Sequence, residues 1–329
     1  MQDNNKFGTC KYCAPDGSFC QEVDMGNGFC FWHDPTFDKK GMELTDKLER
    51  YASSGGITQG LQLKYANLES VNLVRRGSSL GYDFSGSDFY RANMRGAHLF
   101  NIRLDGGSLM KTDLTEANLH CAKLQNTNLL GAKLIQTKID NIQLGSKLIQ
   151  EKTAIEAMKQ GKTDVALDNF EQAEEIYRDV RKASEYQGLF DLTGYCIHKE
   201  LTMRRMQMAK FSRERIVSKL VDLFCGYGER PANVIAFSMM LIFTCACLYF
   251  VLGVNFGEDR IQFSREQVWT QNISEFFSAL YYSVVTFTTL GYGDITPTGP
   301  SRVIAACEAF TGSFTMALFV VVFVKKMTR

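Results

Sequence analysis

Between Phe84 and Leu144 an apolar residue recurs at every fifth position: Phe84, Phe89, Met94, Leu99, Leu104, Leu109, Leu114, Leu119, Leu124, Leu129, Leu134, Ile139 and Leu144. At the 45% apolar content of the chain, an unbroken run of this length arises by chance on the order of 3 times in 100,000. Leu63, Leu68 and Leu73 belong to the same series, which an insertion around Arg75 to Leu80 interrupts. A small residue often stands two places earlier, as at Ala92, Ala97, Ala117, Ala122 and Ala132. A period of five suits neither the 3.6 of an amphipathic helix nor the 2 of a flat strand. It suits a coil with faces of five residues, in which the large residue and its small partner both point inward.

This run resembles the pentapeptide-repeat family, which implies a right-handed square β-helix over residues 61–145. About four coils spaced ~4.8 Å apart would make a rod of roughly 20 Å. Some members of that family imitate DNA with an acidic surface. Here ten Lys or Arg stand against seven Asp or Glu, a net +3, so the sign is wrong for that role. A spacer or partner-docking rod is the expectation, with His98 and His120 as solvated face residues.

A second constraint lies near the C-terminus, in Thr288-Thr289-Leu290-Gly291-Tyr292-Gly293-Asp294. Gly291 and Gly293 reach positive φ cheaply, so successive carbonyls can be turned to one side. A ring of such carbonyls can replace the water shell of K⁺. The stretch resembles the selectivity filter of potassium channels, with Leu290 where many members carry Val or Ile. Carried over position by position, the resemblance implies that Thr289 forms the innermost ion site with its hydroxyl and carbonyl. Carbonyls of Leu290, Gly291 and Tyr292 follow, with Gly293 completing the turn. Thr288 and Asp294 flank the filter, Asp294 at the outer mouth, and the Tyr292 ring braces against Tyr281 and Tyr282. Gly312 matches the inner-helix hinge glycine. Ser313, Met316, Val320 and Val324 then face the pore, Val320 and Val324 as a hydrophobic gate. Val285 stands where some bacterial members carry an acid. Glu308 is expected to substitute for that acid by hydrogen-bonding behind the filter, because an ionisable residue within a span is functional by default.

The flanks suit this reading. Pro231 to Gly257 carries no charge, enough to cross ~30 Å of hydrocarbon with tilt. Val303 to Val324 carries only Glu308. Between them Ile273 to Phe287 is too short to cross and too apolar for a surface loop, so it is expected to be a re-entrant pore helix. Its C-terminal end would aim partial negative charge at the pore axis. Basic residues crowd Lys199–Arg230 and, after the second span, Lys325, Lys326 and Arg329. The segment between the spans holds Glu258, Asp259, Glu266, Glu275 and Asp294 against Arg260, Arg265 and Arg302. The positive-inside rule puts both termini in the cytoplasm, in an inner or plasma membrane. The polar Met1 to Lys6 does not look like a secretory signal.

At the other end, Cys10, Cys13, Cys20, Cys30 and His33 lie close together. Any four could close a tetrahedral Zn²⁺ site. Resemblance to small C-x₉-C-x₉-C-x₂-H modules favours Cys10, Cys20, Cys30 and His33; the set with Cys13 in place of Cys20 is the alternative. Four protein ligands leave no place for water, so the expected role is structural. The cysteine usage suits a reducing compartment.

Lys147 to Gln160, Thr163 to Gln187 and Asp191 to Phe224 read as helices punctuated by Gly161 and Gly188. Gly161-Lys162-Thr163 is not a phosphate loop, because position 156 is Glu rather than Gly; Thr163 as an N-cap explains it better. The basic residues of 199–219 are a candidate surface for anionic lipids. Cys225 to Pro231 reads as an elbow before the first span.

The chain is therefore expected to be a multidomain membrane protein. Its parts are a Cys/His zinc module (1–50), a flexible linker (51–60), a pentapeptide-repeat β-helix (61–145), a helical connector (146–230) and an α-helical two-span potassium-channel pore (231–329). The expected function is passive K⁺ conduction through a homotetramer, four copies completing the carbonyl ring, with regulation by the N-terminal part through a cytosolic ligand or protein. No catalytic residues and no nucleic-acid partner are expected. The alternative is a membrane-anchored pentapeptide-repeat scaffold whose filter sequence is dispensable.

Overall fold

A computed structural model describes residues 8–257, 259–265 and 267–327. The topology argument's Glu258, Glu266 and Arg329, and the polar Met1 to Lys6, lie outside them. The chain divides into two compact units, one ending at Lys210 and the other beginning at Phe211.

The first unit is built on the five-residue repeat. Parallel bridges join positions twenty apart, such as Asp83 to Arg103, Asp88 to Ser108 and Arg103 to Lys123. One turn of the coil is therefore four pentads. Across the insertion the spacing widens by six residues, as in Gln62 to Asp88 and Asn72 to His98. The extra residues leave the coil as a loop, and the ladder continues in register. Phe84, Phe89, Met94, Leu99 and Leu109 are fully buried, as are Ala97, Ala117 and Ala122. Leu134 is only partly buried. Where the small position is threonine, its hydroxyl donates to a carbonyl: Thr112 to Phe89, Thr127 to Leu104, Thr137 to Leu114, at 2.7–2.8 Å. Burial of these hydroxyls is tolerated because each finds an acceptor. Two residues after each large apolar position the backbone turns left-handed, at Gly86, Arg91, Gly96, Asn101, Gly106, Lys111, Glu116, Cys121, Asn126, Gly131, Gln136 and Asn141. These are the corners, and they explain why Gly and Asn recur there.

Both ends of the coil are covered. Helix α1 (Thr45–Ser53) and the cysteine module close the start, with Gln62 N–H donating to Trp32 O at 2.8 Å. Residues 51–60 are not a flexible linker. Tyr51 and Ala52 belong to α1 and are buried, Gly56 N–H returns to Tyr51 O, and the Thr58 hydroxyl donates to Asp83 O at 2.6 Å. Ser54, Gly55 and Gly56 let the chain turn tightly back onto the coil. The far end is covered by α2 (Ile149–Lys159), α3 (Thr163–Tyr186) and α4 (Phe190–Gln207). Gln187 bonds both Thr137 O and Ile139 N–H there, at 2.6 and 3.0 Å. Gly161 and Gly188 are left-handed, as helix-ending glycines should be. Thr163 opens α3 but makes no side-chain cap.

The long third helix expected from Asp191 to Phe224 is two helices. Beyond α4 the chain is extended at Met208, and α5 (Arg213–Cys225) restarts with the Ser212 hydroxyl accepting from Arg215 N–H at 3.2 Å. The connector thus belongs partly to each unit: α2–α4 to the first, α5 to the second.

In the second unit, a left-handed Gly226 ends α5, and a short 3₁₀ turn leads to Pro231 at the start of α6 (Pro231–Leu252). Next come β1 (Val254–Phe256), β2 (Asp259–Ile261), α7 (Trp269–Phe287), β3 (Ile295–Pro297) and α8 (Ser301–Met327). The strands form one antiparallel sheet in the order β2-β1-β3. Helices α6 and α8 are long and apolar enough to cross a membrane.

Candidate ion pathway and metal centre

Helix α7 begins four residues earlier than its apolar pattern suggests, because Asn272 bonds the Ser264 backbone through both ends of its amide. At its C-terminus the chain does not leave abruptly. Thr288 N–H and its hydroxyl return to Val284 O, Thr289 N–H to Thr286 O, and Leu290 N–H to Val285 O. From there Thr289, Gly291 and Gly293 are left-handed, with φ of 57, 60 and 79°, while Leu290 and Tyr292 between them are not. This alternation turns consecutive peptide carbonyls toward one side. It is cheap at the glycines; at β-branched Thr289 it costs about 1–3 kcal/mol, strain of a kind concentrated at functional sites. Leu290 and Tyr292 are exposed on the protomer.

Immediately after Asp294, β3 pairs with β1, placing Ile295 opposite Phe256. Tyr281 of α7 and Asp294 line one cleft beside β2, so the helix and the end of the candidate filter stretch lie together. Within the protomer Tyr282 packs away from solvent. It is buried and packs edge-on against Tyr249 of α6, with centroids 4.8 Å apart, because adjacent residues on a helix cannot share one face.

Behind the filter, Glu308 is 2% exposed. Tyr249 of α6 donates to one of its oxygens at 2.6 Å, and Ser283 of α7 donates to the other. One carboxyl group on α8 therefore links α6, α7 and α8, joining α7 at Ser283 shortly before the candidate filter stretch. Gly312 lies where α8 meets the end of α7: a Cβ there would stand 2.1 Å from Phe287 O. This glycine is required for close approach, a reason that a hinge reading does not supply. Ser313, Met316, Val320 and Val324 are exposed on the protomer.

The cysteine module brings Cys10, Cys20, Cys30 and His33 together, all buried, with ligand atoms within 4.8 Å of one another. Cys13 is exposed, and its thiol donates to Ala14 O; it is not part of the cluster. Cys30 Sγ is 3.2 Å and Cys10 Sγ 3.8 Å from His33 Nδ1. His33 Nε2 bonds Gln59 O at 3.0 Å, which fixes Nδ1 as the free ligand atom, and Tyr12 stacks on the ring at 4.0 Å. Burial pushes the Cys30 thiol up to about 12 and His33 down to about 4. Three thiols and a neutral imidazole at tetrahedral separation fit Zn²⁺.

The basic 199–219 stretch is partly consumed inside the helical bundle. Lys199 pairs with buried Glu151 at 3.0 Å and Arg204 with Glu174 at 2.9 Å. Burial of those carboxylates demands partners, and these two cations supply them. Lys210, Arg213 and Lys219 lie beside exposed Phe211, Ile216, Leu220 and Leu223.

Residues 236–329 match the ion channel family, and residues 92–131 and 112–144 match pentapeptide repeats in eight copies. The chain thus carries an ion channel domain near its C-terminus and pentapeptide repeats before it, and it is a membrane protein. It is similar to two-pore potassium channel 4 of Arabidopsis thaliana, 31% identical over 85 residues, which is 26% of this chain and 30% of that protein. Among solved structures it resembles a pentapeptide repeat protein of Nostoc PCC 7120 (27% identity, 31% of this chain and 79% of that one, TM-score 0.18). Another is a thylakoid-lumen pentapeptide repeat protein of Arabidopsis thaliana (24% identity, 27% and 57%, TM-score 0.14). Scores this low carry no weight; the twenty-residue ladder carries the repeat.

Proposed function

We propose that this chain forms a K⁺-selective, passive channel as a homotetramer, each copy supplying one quarter of the carbonyl ring from Thr289 to Gly293. The observation that carries this is the left-handed alternation at Thr289, Gly291 and Gly293, strained at the one residue that need not be glycine. Carbonyl dipoles so arranged can replace a dehydrated ion's water shell. Conduction needs no catalytic group. Val320 and Val324 form the hydrophobic gate.

Both termini lie in the cytoplasm of an inner or plasma membrane, consistent with reduced thiols at a Zn²⁺ site of Cys10, Cys20, Cys30 and His33. Helix α5 lies on the inner leaflet, with its apolar residues in the headgroup boundary and Lys210, Arg213 and Lys219 toward anionic lipid. The N-terminal unit conveys a cytosolic signal to the pore.

The test is ion flux from liposomes holding the purified full chain. K⁺ flux well above Na⁺ flux, lost in Gly291→Ala, supports the proposal. Intact, inserted protein that passes no K⁺ under varied voltage, pH and ligands refutes it and favours the membrane-anchored scaffold.

A further inference from the structure

The insertion at Arg75 to Leu80 is the one departure from the repeat, and it does not simply hang in solvent. Its end is pressed against the next coil: a Cβ at Gly81 would stand 1.9 Å from Asn101 O, so only glycine lets the chain descend there. Asn101 Nδ2 donates to Ser79 O at 2.9 Å and holds the loop from below. Between this loop and the turn after α1 lies a cleft of about 410 Å³, lined among others by Arg75, Asp83, Asn101, Arg103 and Lys123.

The charge in this cleft is unbalanced. Asp83, Arg103 and Lys123 stand on successive coils of one ladder. The acid's oxygens are already engaged: Ser85 donates to Oδ1 through its N–H and hydroxyl, and Gln59 donates to Oδ2 at 2.9 Å. These hydrogen bonds hold its carboxyl below the usual range although burial opposes them. Arg103 leans toward Asp83 at 3.7 Å and binds Asp105 at 2.8 Å. Arg75 lies 6.0 Å from the Tyr82 ring centroid, and neither Arg75 nor Lys123 has a side-chain ion pair among the described residues. Two cations therefore face one cavity without an ion pair of their own among the described residues.

We infer that this cleft binds a phosphate group of a small cytosolic molecule, between Arg75 and Lys123 with Arg103 at its edge. A planar guanidinium matches phosphate oxygens two at a time, and the lysine adds a point charge. Sulfate-sized anions fill little of the volume, so a phosphorylated metabolite suits it better than a bare ion. Nucleic acid is disfavoured because this ladder offers only Arg103 and Lys123 before Gln143 follows, too few cations to track a polyphosphate backbone. This site stands independently of what the pore conducts.

The test uses the full chain in zwitterionic-lipid nanodiscs, with inorganic pyrophosphate as the probe and hydrogen exchange as the readout. Pyrophosphate is expected to slow exchange at residues 75–83 and 52–58, with affinity falling at least tenfold in Arg75→Ala and in Lys123→Ala. Both side chains extend from the rod's surface, so folding persists, and unchanged exchange over residues 84–144 checks this. Lys138→Ala, outside the cleft, should bind as wild type. Nanodiscs with anionic phospholipid and no pyrophosphate form the second arm: protection of the same segments there assigns the phosphate to a headgroup instead of a soluble molecule. Absence of protection in both arms, or equal affinity in Arg75→Ala, Lys123→Ala and wild type, overturns the site.

Discussion

Glu308→Gln is the perturbation that best separates a brace from a bystander. The wild-type carboxyl accepts from the Tyr249 hydroxyl on one oxygen and from Ser283 on the other. Glutamine has nearly the same shape but replaces one acceptor oxygen with an amide donor, so the Ser283 hydroxyl must give its proton wholly to Ile242 O and accept from the amide instead. Rearrangement of one such hydrogen bond costs about 0.5–1.5 kcal/mol. Tyr249→Phe removes one donor without altering the packing on Tyr282, and the double variant closes a cycle. If Glu308 works through Tyr249, the two changes should be non-additive by about 1 kcal/mol or more, within the range for residues in direct contact. The assay is reversible unfolding of the full chain in mixed micelles, run beside K⁺ flux in liposomes. Flux in Glu308→Gln should fall or inactivate sooner, because Ser283 sits on the helix that delivers the filter. Additive unfolding energies together with unchanged flux would refute the reasoning.

Other outcomes follow from named contacts. Metal analysis of protein purified without chelator should find one zinc per chain; Cys20→Ser should lose it and Cys13→Ser should keep it, since only Cys20 points into the cluster. Thr127→Val should lower the unfolding stability of the first unit by about 1 kcal/mol, through loss of its bond to Leu104 O. Gly312→Ala should destabilise the pore by about 1–3 kcal/mol through overpacking against Phe287 O, measured by the same micelle unfolding. Deletion of residues 75–80 should leave the rod folded, by far-ultraviolet circular dichroism and hydrogen exchange, because it restores the twenty-residue spacing found elsewhere; pyrophosphate protection should vanish.

What could be read from the chain depended on whether the signal was periodic or local. The rod was legible because every coil repeats one demand, a large apolar side chain at its centre, so Phe84 to Leu144 announced both fold and register. Its left-handed corners were less visible: Lys111, Glu116 and Gln136 adopt positive φ under pressure from the coil, against their own preference. The two long apolar helices were legible for the same reason, a dense local pattern. Residues 51–60 misled because Ser and Gly mark a turn equally well whether it is packed or free. The fate of Lys199 and Arg204 also lay beyond local reading, since their partners Glu151 and Glu174 are 48 and 30 residues away. The same holds for Glu308: its position in a span marked it, but only folding brought Tyr249 and Ser283 to it. For Gly312, the neighbour that forbids a side chain is a carbonyl 25 residues away.

The ladder also sets how such a rod can change length. Because the bridges beyond the insertion join positions twenty apart, adding or removing one whole coil there shifts every later residue by a full turn and returns it to the same face. A change of one to three five-residue faces keeps inward residues inward but rotates all later faces. A change that is not a multiple of five would move core residues to the surface. Only whole coils preserve both core and faces, unless the surplus escapes at a corner as residues 75–80 do. Growth in this molecule is therefore quantised in steps of one coil, ~4.8 Å each. Smaller insertions alter only the surface and leave both covered ends undisturbed. A lineage can rework what the rod touches without renegotiating its core.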